Sequence, residues 1–190
     1  ITRLPGRTKM LASIKEALEK CGAHDGMTVS FHHHLRGGDG VLVPVMKIIR
    51  EMGFKNINLA PSSLHDGQKE LIGMFKDGTV TQIQTGANGP LGLSVTAGDL
   101  QKPMIVRSHG ARVRAIKEGD IQIDIAFIAA PESDDQGNCN GVHGRNACGP
   151  LAYSAIDAKL AKHVVVVTDN LVEYPCTPIS ISENYVDYVV

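Results

Sequence analysis

The sequence has no tryptophan, and only 4% of its 190 residues are aromatic. Its 19 Lys and Arg are matched by 20 Asp and Glu, for a net charge of -1. It therefore offers neither the basic surface that holds phosphates nor the rings on which bases stack, and a nucleic-acid binder is excluded. Its longest apolar runs, over 125–131 and 164–167, are strand-sized and far short of the ~20 residues that span a bilayer. The opening ITRLPGRTKM holds no apolar core or small-residue cleavage pattern, so no secretory signal is read there. Cysteine is also scarce. Cys21, Cys139, Cys148 and Cys176 are scattered along a chain long enough to bury a core without staples, which points to free thiols in a reducing cytoplasm. With Ile at its start and the apolar run VDYVV at its end, the sequence reads as a segment of something longer.

What the chain does have is a repeated switch between two hydrophobic periods. Helical spacing is expected over 9–21, with Thr8 as cap and Gly22 as stop. It recurs over 41–52, 66–76, 91–100 and 111–118, and in a last helix opened by Pro150. Between these lie strand-like runs at 27–31, 56–60, 79–84, 103–107, 123–129 and 163–169, with a long loop over 131–149. Strands alternating with helices predict a mainly parallel sheet covered on both faces, because parallel neighbours need crossover connections. No repeat, charge block or linker divides the chain, so one α/β domain over 1–190 is expected, with its site at the carboxyl ends of the strands.

Three loops after strands are unusual. SFHHHLRGGDG places His32, His33, His34, Arg36, Gly37 and Gly38 between a strand and a helix, where backbone amides, imidazoles and a guanidinium could meet a carboxylate or phosphate. Successive side chains on a strand point to opposite faces, so at most two of the three histidines share one site. QTGANGPLG presents Gly86, Ala87, Asn88 and Gly89, whose amides could hold a carbonyl or carboxylate oxygen. The bland alternative is a tight turn with Asn88 left-handed. Its glycine spacing matches neither a dinucleotide fingerprint nor a P-loop. The third loop carries Asn138 and a weak zinc pattern, Cys139, His143 and Cys148, with no paired C-x-x-C; Asp134, Asp135 and Arg145 read as a solvated or loop-pinning cluster. No G-x-S-x-G elbow supports a serine hydrolase.

The runs GMTVSFHHHLRGGDG, FKNINLAPSS, SHGARVRAIKEGDIQIDIAFIAAPESDDQGN and PLAYSAIDAKLAKHVVVVTD resemble family I coenzyme A transferases, those of the citrate lyase alpha branch most closely. The most specific segment runs from Asp124 through Ile128 and Asp134 or Asp135 to Gly137-Asn138. The resemblance implies an open three-layer α/β/α fold, a cytoplasmic location and thioester exchange, acetate giving way to citrate on a coenzyme A or acyl-carrier thioester. It implies a lyase (beta) chain and an acyl carrier (gamma) chain as partners, the latter bearing a CoA-derived prosthetic arm, with no cofactor bound covalently to this chain. It also implies thioester contacts at 32–38, where histidines replace most of the family's glycines, and a glutamate nucleophile in the second half of the full protein. Glu183, in Ser182-Glu183-Asn184, resembles that nucleophile motif, but Tyr185 stands where the family has glycine; the other reading is a surface-turn carboxylate. The chain thus reads as the amino-terminal half of a two-half transferase. Two other classes compete: a metal hydrolase on His32 to His34 or Cys139, His143 and Cys148, and a non-catalytic assembly domain of a lyase complex.

Overall fold

The computed structural model describes residues 7–32 and 40–190. In chain order its elements are α1 (Ile14–Lys20), β1 (Thr28–His32), α2 (Leu42–Glu51), β2 (Ile57–Leu59), α3 (Leu71–Lys76), β3 (Val80–Ile83), α4 (Gly89–Thr96) and α5 (His109–Glu118). Then come β4 (Ile125–Ala129), β5 (Glu132–Ser133), β6 (Cys139–Asn140), α6 (Ser154–Leu160), β7 (His163–Val167) and β8 (Tyr188–Val189). Six strands form one parallel sheet in the order β3-β2-β1-β4-β7-β8, and β5 and β6 make a separate antiparallel pair. The expected α/β/α architecture is what the chain adopts.

Strand periodicity assigns the two faces. Val29, Phe31, Ile125, Phe127 and Val165 pack with α1 to α4 in one core, and Ala126, Ile128, Val164 and Val166 pack with α5 and α6 in the other. Phe31 and Phe127 are paired across β1 and β4 and their rings stack at 5.6 Å. The second face of β1 is different: there the strand buries Ser30 and His32.

Four local expectations are corrected. The first helix begins at Ile14 under a Ser13 cap, not at residue 9. Residues Lys9 and Leu11 exchange backbone hydrogen bonds with Val189, so the segment extends the edge of the sheet instead. Residues 103–107 form no strand: Pro103 has no N–H to give, and the backbone beside β3 is held by Lys102 N–H to the Thr81 carbonyl and Ile105 N–H to the Ile83 carbonyl. Pro150 does not open α6, because Gly149 (φ 78°) and Ala152 (φ 44°) turn the chain before Ser154. The loop over 131–149 contains the β5/β6 pair.

Candidate functional site

The chain steps outward from β1 to β2 to β3, then returns to place β4 on the other edge of β1. The order of connection therefore reverses between β1 and β4, and at such a reversal the flanking loops diverge and leave a crevice at the carboxyl ends of the strands. His32 is the last residue of β1, paired in register with Ile128 of β4, and is 6% exposed. Its ring makes a T-shaped contact with Tyr153, with centroids 5.6 Å apart and planes at 76°. Tyr153 stacks in turn on His109, the first residue of α5, at 5.2 Å and 16°. His33, His34, Arg36, Gly37 and Gly38, named with His32 from the sequence, lie outside the described residues.

Two residues back along β1, on the same face, a buried ion pair sits under the crevice. Arg112 of α5 donates to both carboxylate oxygens of Asp157 of α6, at 2.9 and 2.8 Å, and to Ser30 Oγ and the Ala60 carbonyl, each at 2.9 Å. Ser30 Oγ also donates to Asp157. The two side chains are 3% and 2% exposed. One guanidinium thus ties the two helices of this face to the central strand and to the end of β2. The sequence reading passed over it. Its signal was Thr28, Ser30 and His32 alternating with apolar Val29 and Phe31 on β1, a polar face that requires polar partners.

The Gly86–Gly89 loop lies at the same end of the sheet, after β3, two strands from β1 and so about 10 Å across it. The Gly86 carbonyl accepts from Leu64 N–H, and Ala87 bridges to Leu64. Asn88 is extended and caps α4 by its backbone, while Gly89 takes the left-handed conformation (φ 55°) that the sequence had offered to Asn88. A Cβ at Gly89 would lie 2.0 Å from Asp66 Oδ1. Arg107 donates to the side chain of Gln84 at the head of this loop, at 2.5 Å.

Asn138 and Glu183 belong to a second cluster. Buried Asp134 accepts from the N–H groups of Gln136, Asn138 and Cys176 and from Asn138 Nδ2. The same Asn138 amide donates to Glu183 Oε2 at 2.8 Å, and its oxygen accepts from Glu183 N–H at 2.9 Å. Lys9 Nζ donates to the Glu183 and Val186 carbonyls. Burial draws the Lys9 ammonium below its usual range, against the opposing pull of Glu183, Asp187 and Asp134. Of the three acidic-loop residues expected to cluster, Asp134 is the pin, and it is wholly buried rather than solvated.

The zinc pattern does not assemble. Cys139 is buried in the second core, with burial raising its thiol pKa, and His143 turns its Nδ1 to buried Glu132 at 2.9 Å. Among the described residues no three His, Cys, Asp or Glu side chains are grouped as metal ligands. Nor is any described helix long and apolar enough to cross a membrane.

Comparison with known proteins places this geometry in a family. Residues 7–190 match the family model described as citrate lyase, alpha subunit. The citrate lyase alpha chain of Haemophilus influenzae is 44% identical over 191 residues, covering 100% of this chain and 38% of that one. The Escherichia coli K12 alpha chain is 45% identical over 183 residues, covering 96% and 36%. The present chain thus spans little more than a third of the curated relatives' length. A Streptococcus mutans structure assigned to the citrate lyase alpha subunit, solved with citrate, superposes with a TM-score of 0.95 at 49% identity, covering 100% of this chain and 37% of that one. Glutaconate coenzyme A-transferase from Acidaminococcus fermentans shares the fold, at a TM-score of 0.70 and 16% identity over 96% of this chain and 75% of its own. With a family match running over nearly all its length, and the parallel sheet that a coenzyme A-transferase shares, the chain belongs to the citrate lyase alpha subunit family.

Proposed function

We propose that this chain forms the acyl-binding side of a citrate-type coenzyme A transferase, which exchanges acetate for citrate on a thioester carried by coenzyme A or by an acyl carrier protein. The observation that carries this reading is a buried histidine ending the central strand at the reversal of strand order, in a chain of the citrate lyase alpha subunit family. In such an exchange a carboxylate oxygen adds to the thioester carbonyl carbon, the C–S bond breaks, and the thiolate leaves a mixed anhydride behind. The thiolate then adds to the anhydride's other carbonyl carbon and releases the first acid. Each addition builds negative charge on a carbonyl oxygen, and fixed donors around it lower that barrier.

His32 and the loop after it supply donors of that kind, and the backbone of Gly86, Ala87, Asn88 and Gly89 supplies a second set at the same end of the sheet. Asn138 enters by holding Glu183. With its Oε2 taken by that amide, Glu183 serves as a pin of the segment before β8, and the nucleophilic glutamate lies elsewhere in the full-length protein. The 190 residues act as one domain, the amino-terminal half of a two-half transferase. The partners of this reading are a lyase (beta) chain, which cleaves the citryl thioester to oxaloacetate and an acetyl thioester, and an acyl carrier (gamma) chain with a CoA-derived arm. The compartment is the cytoplasm.

The test is acetyl-coenzyme A and citrate turnover by the full-length protein, with covalent adducts mapped by mass. His32→Gln is expected to slow transfer at least tenfold with the fold intact, and any glutamyl adduct is expected outside these 190 residues. Unchanged transfer in His32→Gln, or an adduct on Glu183, would overturn the assignment.

A further inference from the structure

Three rings of three different elements meet at the carboxyl end of β1. His32 closes the strand, His109 opens α5, and Tyr153 sits in the turn before α6. Their order is fixed: His32 and Tyr153 meet T-shaped, and Tyr153 lies flat against His109. Such contacts are directional, because the positive edge of one ring seeks the negative face of the next. Half-buried Tyr153 is thus in contact with two rings, one of them the histidine at the crevice.

The backbone that delivers Tyr153 is unusual. Ala152 has φ 44°, in the left-handed region that a residue with a Cβ occupies at a cost of about 1–2 kcal/mol. Gly149, three residues earlier, is left-handed as well (φ 78°). A strained alanine persists only where its surroundings fix it, and such residues gather where a side chain must be aimed. The turn is anchored on both sides: Leu151 is buried in the second core, and Ser154 and Asp157 are buried in the following helix, Asp157 in the Arg112 ion pair. Arg112, on the α5 helix that His109 opens, binds that same Asp157 at 2.8 Å, so one buried bridge ties the helix that His109 opens to the helix that Tyr153 precedes.

We infer that Tyr153 is a positioning residue: its ring, backed by His109 and aimed by the strained turn at Ala152, fixes the orientation in which His32 meets the acyl group. This rests on the reading of the His32 crevice as the acyl site. The aromatic ring is what matters, because the contact with His32 is a T-shaped meeting of two rings. A phenylalanine therefore keeps the function and a leucine loses it. His109 acts one step further out, so removing its ring has a smaller effect of the same kind.

The test uses the full-length protein with histidine carbons isotope-labelled, following the His32 ring signal by NMR together with steady-state acyl transfer. Tyr153→Leu is expected to move the His32 signal, as the ring current disappears, and to lower kcat about tenfold with KM for the thioester within twofold. Tyr153→Phe is expected to restore both, and His109→Ala to give an intermediate shift. A defect shared equally by Tyr153→Leu and Tyr153→Phe would assign the effect to the hydroxyl and overturn the proposal. So would an unmoved His32 signal in Tyr153→Leu. If His32→Gln abolishes transfer while Tyr153→Leu retains it in full, this proposal falls and the site reading stands. If His32→Gln leaves transfer unchanged, the site reading falls, and the functional part of the proposal with it.

Discussion

Asn138 and Glu183, 45 residues apart, bind each other in both directions: the Asn138 amide donates to the Glu183 carboxylate at 2.8 Å, and the Glu183 N–H donates to the Asn138 oxygen at 2.9 Å. The same Asn138 nitrogen also reaches Asp134, so the loop after β4 is fastened to the segment before β8 through one side chain. Truncation in Asn138→Ala strands buried Asp134 without one of its donors and should cost about 2–3 kcal/mol, read as a lower urea midpoint. Glu183→Gln keeps an oxygen to accept from Asn138 and should stay within about 1 kcal/mol of the parent. Because Glu183 is read as a pin, Glu183→Gln should also retain acyl transfer in the full-length protein.

The Arg112–Asp157 pair poses a different question, since breaking a buried ion pair leaves a charge without its counterpart. Arg112→Met should destabilise by about 3–5 kcal/mol, whereas Arg112→Met with Asp157→Leu should regain much of that loss. Arg112→Lys offers a single point charge where the native side chain serves Asp157, Ser30 and the Ala60 carbonyl together, and should not restore full stability. Chemical unfolding of the four proteins side by side decides among these outcomes.

Acid should loosen the sheet through two depressed carboxyls. Burial opposes ionisation of Asp124, but hydrogen bonds from Lys162 and the Thr28 N–H and the charges of Lys162 and His24 outweigh it and hold the carboxyl below its usual value. At Asp77 burial is likewise outweighed, by Thr79, Lys55 and Arg50. A carboxyl whose folded value lies below its unfolded value, about 3.9, stabilises the fold fully above that value. The contribution disappears as the pH falls through the folded value. Urea midpoints should therefore be flat from about pH 5 upward and fall below about pH 4, and Asp124→Asn should flatten the fall. An equally steep acid limb in Asp124→Asn and Asp77→Asn would refute this account.

Thiol chemistry gives an independent check on packing. Burial pushes the Cys21 thiol up to about 12 and Cys176 up to about 11, and it raises Cys139 as well. Cys148 is only half-buried. Iodoacetamide at pH 8 should modify Cys148 first, and all four should react at similar rates once the protein is unfolded. Peptide mapping against time gives the order directly.

Backbone conformation at the glycine loop is testable too. Gly89→Ala must hold a Cβ at φ 55°, a backbone term of about 1–2 kcal/mol, and must also displace Asp66, so its total cost should exceed that term. In the Asp66→Ala background the clash is gone and only the backbone term remains, so a smaller loss is expected. Thermal melts of the single and double variants separate the two contributions.

By itself the sequence determined the layered parallel sheet, because its alternation of period-2 and period-3.6 hydrophobic stretches leaves few other ways to bury both faces of strands such as Ile125–Ala129. It also singled out His32 and Gly86–Gly89, since polar and glycine-rich residues directly after strands stand out against that pattern, whereas Asn138 and Glu183 were marked only by the family resemblance. What only the tertiary structure decided was their grouping. The reversal of strand order puts His32 beside β4, and the turn at Ala152 carries Tyr153 to it from 121 residues along the chain. Local rules likewise placed the first helix at residue 9, whereas pairing of Met10 with Val189 at the sheet edge drew that segment into the sheet. The Arg112–Asp157–Ser30 bridge could not be read in advance for the same reason: each residue obeys its own local pattern, and only the packing of α5 and α6 on one face of β1 brings the charges within bonding distance.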